Sequence, residues 1–185
     1  DETRDAFTGH FDTAVDGDKT PYNGAKSINI PLTRPFAKLR IITTDMEQLN
    51  DLVIAPTTAT VEYTVAHYNA FNAFAGKVIG DSKNRNIKHE EFTIKAYTDN
   101  VDDKSKVLFT DYFFAADQEE VVNFTLKVYD QDGVIIGKET NFNTPIPARR
   151  NYLTTIQGNI LTDGNKIEVT VTDEFANAGS STTAP

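Results

Sequence analysis

A chain of 185 residues and 20.5 kDa is long enough to bury roughly 70 % of the surface its unfolded form exposes, and with no Cys it does so without disulfides, thiolate metal sites or thiol nucleophiles. Lys+Arg 18 against Asp+Glu 27 leaves a net charge of -9 and a pI near 4.8. That balance disfavours a nucleic-acid surface, whose basic field must displace counterions from phosphates. No apolar run approaches the ~20 residues of a membrane helix, and residues 1–20 lack the charged start and apolar centre of a signal peptide. Export therefore implies a targeting sequence outside this chain.

Most of the chain follows a period of two, which sends alternate side chains to opposite faces of a strand. Residues 1–25 are rich in Asp, Thr, Gly and Lys and form a lead-in segment. Ser27–Leu32 and Ala37–Thr43 are β-branched and strand-like. The spacing of Met46, Leu49, Leu52 and Val53 predicts one helix of about two turns, with Thr44 and Glu47 as a capping box. Ala59, Val61, Tyr63 and Val65 alternate with polar residues and predict a strand, as do Phe92, Ile94 and Ala96 after the charged loop Asp81–Glu91. Val107–Phe114, the alternating Val122, Phe124, Leu126 and Val128, and Val134–Lys138 follow, the last two joined through a hairpin at Asp130-Gln131-Asp132-Gly133. Tyr152–Thr162 joins Ile167, Val169 and Val171 through Asp163-Gly164-Asn165, and residues 176–185 are a small, polar tail. These gaps are too short for the helices of a βαβ pattern. About nine strands with consecutive antiparallel pairing predict an all-β, antiparallel β-sandwich with one short helix, occupying residues 26–175.

Catalytic chemistry finds no pattern. The serines, Ser27, Ser82, Ser105, Ser180 and Ser181, have no nucleophile-elbow setting, and His10, His67 and His89 fall in no metal-ligand spacing. Phosphate-cradling glycine loops are missing from the sequence. No catalytic residue, cofactor site or metal site is assigned. Asp130 and Asp132 before Gly133, and the cluster Asp99, Asp102 and Asp103, are oxygen-ligand groupings of a type Ca²⁺ accepts. A tight hairpin needs Asp and Gly for its own backbone, which is the preferred reading. Among the aromatic concentrations, Tyr68, Phe71 and Phe74, and Phe109, Tyr112, Phe113 and Phe114, most are expected in the core, with Tyr97 and Tyr129 on polar faces.

Several segments carry a resemblance. Asp1–Phe7, Leu32-Thr33-Arg34-Pro35-Phe36-Ala37-Lys38-Leu39 leading to Thr43-Thr44-Asp45, Tyr112-Phe113-Phe114-Ala115, and above all Ile146-Pro147-Ala148-Arg149-Arg150-Asn151-Tyr152-Leu153 continuing to Gly158-Asn159-Ile160-Leu161-Thr162 resemble the fimbrillin-like surface proteins of Bacteroides. Physically, Pro145 and Pro147 belong at a strand start or edge, and Gly158 at a bulge or close approach. The resemblance implies a transthyretin-like, Greek-key sandwich corresponding to a second domain. It also implies an exported precursor anchored at the outer membrane through a lipid outside this chain, and a structural, adhesive role in fimbriae assembled by β-strand addition. Its implied partners are other pilin subunits or a host or bacterial surface receptor. Ile167, Val169 and Val171, followed by the tail from Asp173, form a candidate donor strand, although the same strand pairing within its own sheet is the preferred alternative. A glycan-binding surface lipoprotein that does not polymerise is the alternative function.

Overall fold

The computed structural model describes residues 6–9, 31–80, 85–94, 104–137, 140–162 and 165–173. Among these described residues, twelve strands and one helix follow in chain order. They are β1 (Phe36–Thr43), α1 (Met46–Asp51), β2 (Thr58–Tyr63), β3 (His67–Tyr68), β4 (Phe71–Asn72), β5 (Lys77–Val78), β6 (Arg85–Asn86), β7 (His89–Thr93), β8 (Lys106–Phe114), β9 (Glu120–Tyr129), β10 (Thr140–Ala148), β11 (Leu153–Asn159) and β12 (Asn165–Thr172). A six-stranded sheet runs β12-β11-β1-β8-β3-β6, a four-stranded sheet runs β10-β9-β2-β7, and β4-β5 forms a separate hairpin. The fold is an all-β sandwich.

Alternation builds the core. Ala37, Leu39 and Ile41 on β1 and Phe109 and Phe113 on β8 are buried against Ala59, Val61 and Tyr63 on β2 and Val122, Phe124, Leu126 and Val128 on β9. Edge-on aromatic contacts bridge the sheets, with ring centroids of Tyr63 and Phe113 5.9 Å apart and those of Phe109 and Phe124 6.0 Å apart. Each such side chain, moved from water to this interior, contributes about 1.5–3 kcal/mol before ordering costs.

Pairing is less sequential than the sequence predicts. Consecutive antiparallel partners occur at β9-β10 and β11-β12, but β1 lies antiparallel to β8 on one side and parallel to β11 on the other. Parallel neighbours need a long crossover, and the chain between β1 and β11 supplies it by building the whole second sheet on the way. The Val134–Lys138 strand does not form. Its described part makes a single bridge, Tyr129 to Ile135, because Gly133 (φ 76) and Gly137 (φ 67) turn the chain on either side. Pro31 and Leu32 lie outside any strand, while Ser27–Ile30 and Lys95–Ala96 fall outside the described residues. β10, absent from the predicted strands, carries Pro145 and Pro147 at the end of its sheet, where a missing N–H leaves the inner ladder intact. β11 shifts register between Gln157 and Asn159, at Gly158.

Helix α1 is shorter than its apolar spacing implies. Met46 and Leu49 are buried, but Leu52 is 67 % and Val53 86 % exposed. The N-cap is Asp45, without a side-chain capping bond, in place of the Thr44–Glu47 box. A stronger set of donors wins the Asp45 carboxylate: the N–H groups of Leu161 (3.0 Å) and Thr162 (2.8 Å), the Thr162 hydroxyl (2.8 Å) and the Thr43 hydroxyl. The Thr44 hydroxyl donates instead to Asn159 Oδ1 at 2.8 Å. Both residues thus tie the start of α1 to the end of β11.

Candidate functional site

Strand β12 ends the six-stranded sheet and, among the described residues, pairs with β11 alone. Its register sets Val169 opposite Ile156 and Val171 opposite Thr154. Ile167, Val169 and Val171 therefore share the core-facing side of the sheet with Ile156 and Thr154, which are 0 % and 2 % exposed. Yet the three β12 residues keep 38 %, 38 % and 37 % of their surface. The cause is the width of the opposing sheet. Among the described residues β10 is its last strand and reaches β11, where the Thr154 hydroxyl donates to Pro147 O at 2.6 Å, so the apolar stripe of β12 projects beyond the cover they give. The candidate donor residues lie on one face, as alternation predicts, and sit in a strand hydrogen-bonded within its own sheet.

The other sheet ends are built differently. β6 has two residues, β7 opens with His89, Glu90 and Glu91, and β10 combines two prolines with a register irregularity between Phe142 and Ile146. Short length, charge, proline and bulges each discourage pairing with another chain. β12 spans eight residues, Asn165–Thr172, with neither proline nor an acidic pair, and its own register irregularity is confined to its start, opposite Gly158. It is the sheet end best suited to accept a strand.

A second constellation lies inside, where β2, β8 and the β6-β7 corner meet. Asp111 falls on the inward side of β8 between Phe109 and Phe113, and it is buried. Lys88, at the corner where the chain passes between the sheets, places Nζ 2.6 Å from Asp111 Oδ1 and 2.5 Å from Oδ2, and donates to Tyr112 O at 3.2 Å. The Tyr63 hydroxyl donates to Asp111 Oδ2 at 2.8 Å. Burial, then the charge and hydrogen bond of Asp111, hold the Tyr63 phenol well above its ordinary range. The His67 ring meets Tyr63 edge-on at 4.4 Å, and its Nε2 is buried without a hydrogen-bond partner. Burial and the nearby Lys88 charge lower its pKa to about 4, against the pull of Asp111. With the Tyr112 N–H donating to Oδ1 at 2.8 Å as its third partner, the Asp111 carboxylate is a pinned strut between the sheets. Its sequence signal was an acid in an otherwise apolar alternation.

The remaining sequence candidates divide. Asp130 Oδ1 accepts from the N–H groups of Asp132 and Val134, both at 2.9 Å, so that oxygen serves the turn. Among the described residues no three His, Asp or Glu side chains converge as a metal requires; Asp99, Asp102, Asp103 and Tyr97 lie outside them. Phe109 and Phe113 are buried as expected, whereas Phe74 is 90 % exposed at the tip of the β4-β5 hairpin. That hairpin sits on the Arg149-Arg150-Asn151 motif. Arg150 donates to Gly76 O at 2.5 Å and pairs with the Asp117 carboxylate, and Arg149 Nε donates to Asp117 O at 2.8 Å. Asn151, at φ 67, accepts from Arg34 N at 3.1 Å. Thr8 bridges Thr33, and the Arg34 guanidinium lies 4.3 Å from the Phe7 ring centroid. Of the resemblance-bearing motifs, Phe7, Arg34 and Arg149-Arg150-Asn151 thus meet at one end of the sandwich as backbone fasteners, while Thr43-Thr44-Asp45 meets Asn159, Leu161 and Thr162 at the start of α1. Two adjoining clefts of about 290 and 300 Å³ flank Arg150, sharing Gly76, Lys77 and Asp117.

Residues 1–184 match the model of a family of unknown function, DUF6562. The chain belongs to DUF6562. The DUF6562 match takes in both the lead-in segment and the sandwich, in keeping with the packing of Phe7 and Thr8 on Arg34 and Thr33. No curated protein matches the chain.

Proposed function

We propose that this domain is a structural, non-enzymatic subunit of a cell-surface assembly, fimbrial or adhesive, that associates by β-strand addition at β12. The observation that carries the reading is the β12 edge: eight residues long, open on one side among the described residues, and lined by a half-exposed stripe of Ile167, Val169 and Val171. Main-chain hydrogen bonds supply the affinity of such additions and alternate side chains their register. The ordered resemblance to fimbrillin-like surface proteins supports the same role, with an exported protein, a lipid anchor outside this chain, and pilin subunits or a surface receptor as partners. Because β12 pairs with β11 along its length, addition to the edge costs less than donation of the strand, which would break that ladder.

The test combines assembly and location. The purified chain is followed by sedimentation and electron microscopy before and after limited Arg-specific proteolysis, and intact cells are probed with antibody. Assembly at high concentration with surface labelling supports the reading. A chain that never associates, on cells that never label, overturns it.

Phe74 favours a second reading. An aromatic ring 90 % exposed on a hairpin whose Gly76 and Lys77 line clefts with Asp117, Gln118 and Arg150 offers the stacking face and polar groups that sugars require. Binding on a glycan array that Phe74→Ala abolishes would establish it, and an array without binding removes it.

A further inference from the structure

We propose that the β12 edge is self-complementary, so that two copies of this chain pair through β12, antiparallel and about a two-fold axis at Val169, joining their six-stranded sheets. The inference rests on the strand-addition reading above and narrows it to one partner and one register.

The argument starts from geometry. When two copies of the same edge meet in parallel, one sheet is turned over, and the apolar stripe of one copy continues into the Glu168, Thr170 and Thr172 face of the other. Antiparallel pairing keeps the faces aligned. Within it, registers with the axis between two residues set Ile167 opposite Thr170 or Glu168 opposite Val169, and fail for the same reason.

Registers with the axis on a residue remain. An axis at Glu168 sets Glu168 against itself and leaves Val171 opposite Asn165. An axis at Thr170 leaves Ile167 opposite Asp173. An axis at Val169 sets Val169 against Val169, Ile167 against Val171 twice, and Glu168 against Thr170. All six apolar residues then face apolar partners, and no like charges stand opposite one another, the arrangement that cross-strand pairs favour. The contact is isologous and closes on itself, so β12 joins the chains in pairs, and a longer fimbrial assembly links such pairs through a second contact.

The chain has no Cys, so single engineered thiols report single positions. Val169→Cys, Glu168→Cys and Thr170→Cys are prepared, their urea midpoints compared with the parent to confirm folding, and mild oxidation followed by non-reducing electrophoresis. Opposite residues alternate between hydrogen-bonded pairs and closer non-hydrogen-bonded pairs. One of the adjacent pairs, Val169 with Val169 or Glu168 with Thr170, is therefore close enough for a disulfide. The expected result is cross-linking of Val169→Cys to itself, or of Glu168→Cys mixed with Thr170→Cys, at least about tenfold faster than Glu168→Cys or Thr170→Cys alone. Preferential self-linking of Glu168→Cys or of Thr170→Cys overturns the register. Assembly that Val169→Lys abolishes, without excess cross-linking in any of these samples, overturns the self-pairing but leaves strand addition standing. Neither cross-linking nor assembly overturns both.

Discussion

Ile156 and Val169 stand opposite each other across the β11-β12 ladder on the same face of one sheet, yet the first is fully buried and the second is 38 % exposed. One strand spacing separates a core position from an open one, because among the described residues the facing sheet stops at β10. Ile156→Ala should therefore cost about 2–5 kcal/mol, and Val169→Ala less than about 1 kcal/mol. Urea unfolding of the two variants measures the difference directly. Equal losses would mean that Val169 is packed as deeply as Ile156.

Asp111 holds Lys88 and Tyr63 together across the sheets. Asp111→Ala leaves the Tyr63 hydroxyl buried without its acceptor and the Lys88 ammonium, 21 % exposed, with only the more distant Glu90 carboxylate at 3.7 Å. The expected destabilisation is about 2–4 kcal/mol, below the loss from a fully buried pair because solvent reaches Lys88. Tyr63→Phe, which removes one hydrogen bond and keeps the ring, should cost only about 1 kcal/mol.

His67 makes stability depend on pH. Burial and the Lys88 charge lower its pKa in the folded state to about 4, while the unfolded chain titrates near 6.5. Between these values the unfolded state binds the proton and the folded state does not, so stability falls as pH drops from ~6.5 towards ~4 and this contribution levels off below. Its steepest slope is about 1.4 kcal/mol per pH unit. Carboxylates titrate in the same range, so the readout is the difference between parent and His67→Phe in urea titrations at pH 7, 5.5 and 4.5. The parent should lose stability relative to the variant as pH falls, and a constant difference would contradict the assignment.

Gly137 and Gly133 both have positive φ, at 67 and 76, but they differ in surroundings. A Cβ at Gly137 would overlap the Leu161 carbonyl oxygen, while one at Gly133 meets nothing within 4 Å. Gly133→Ala should therefore cost about 1 kcal/mol from backbone strain alone, and Gly137→Ala distinctly more because backbone must move. Thermal unfolding of the pair tests the ranking.

Period-two alternation makes β2 and β9 legible in the sequence, because each has one buried face, and β-branched and aromatic content does the same for β1 and β8. Both signals fail at the margins. β10 carries prolines that an edge tolerates and a central strand does not, and Val134–Ile136 is apolar but held between two turning glycines. The capping box at Thr44 is locally sound and loses to tertiary partners, Asn159 taking the Thr44 hydroxyl while Leu161 and Thr162 donate to the Asp45 carboxylate. The stripe of Ile167, Val169 and Val171 was legible as a face. Its exposure was not, since that depends on where the other sheet ends. Lys88 gave no local sign at all, because its partner is 23 residues away on another strand.

Sedimentation velocity over a wide concentration range, on the parent chain and on Val169→Lys, tests β12 as the associating edge most directly. The parent should shift to a larger species as concentration rises, while Val169→Lys, with an unfolding free energy within about 0.5 kcal/mol of the parent's, stays monomeric. A parent that remains monomeric throughout, or a Val169→Lys variant that associates as the parent does, would contradict it.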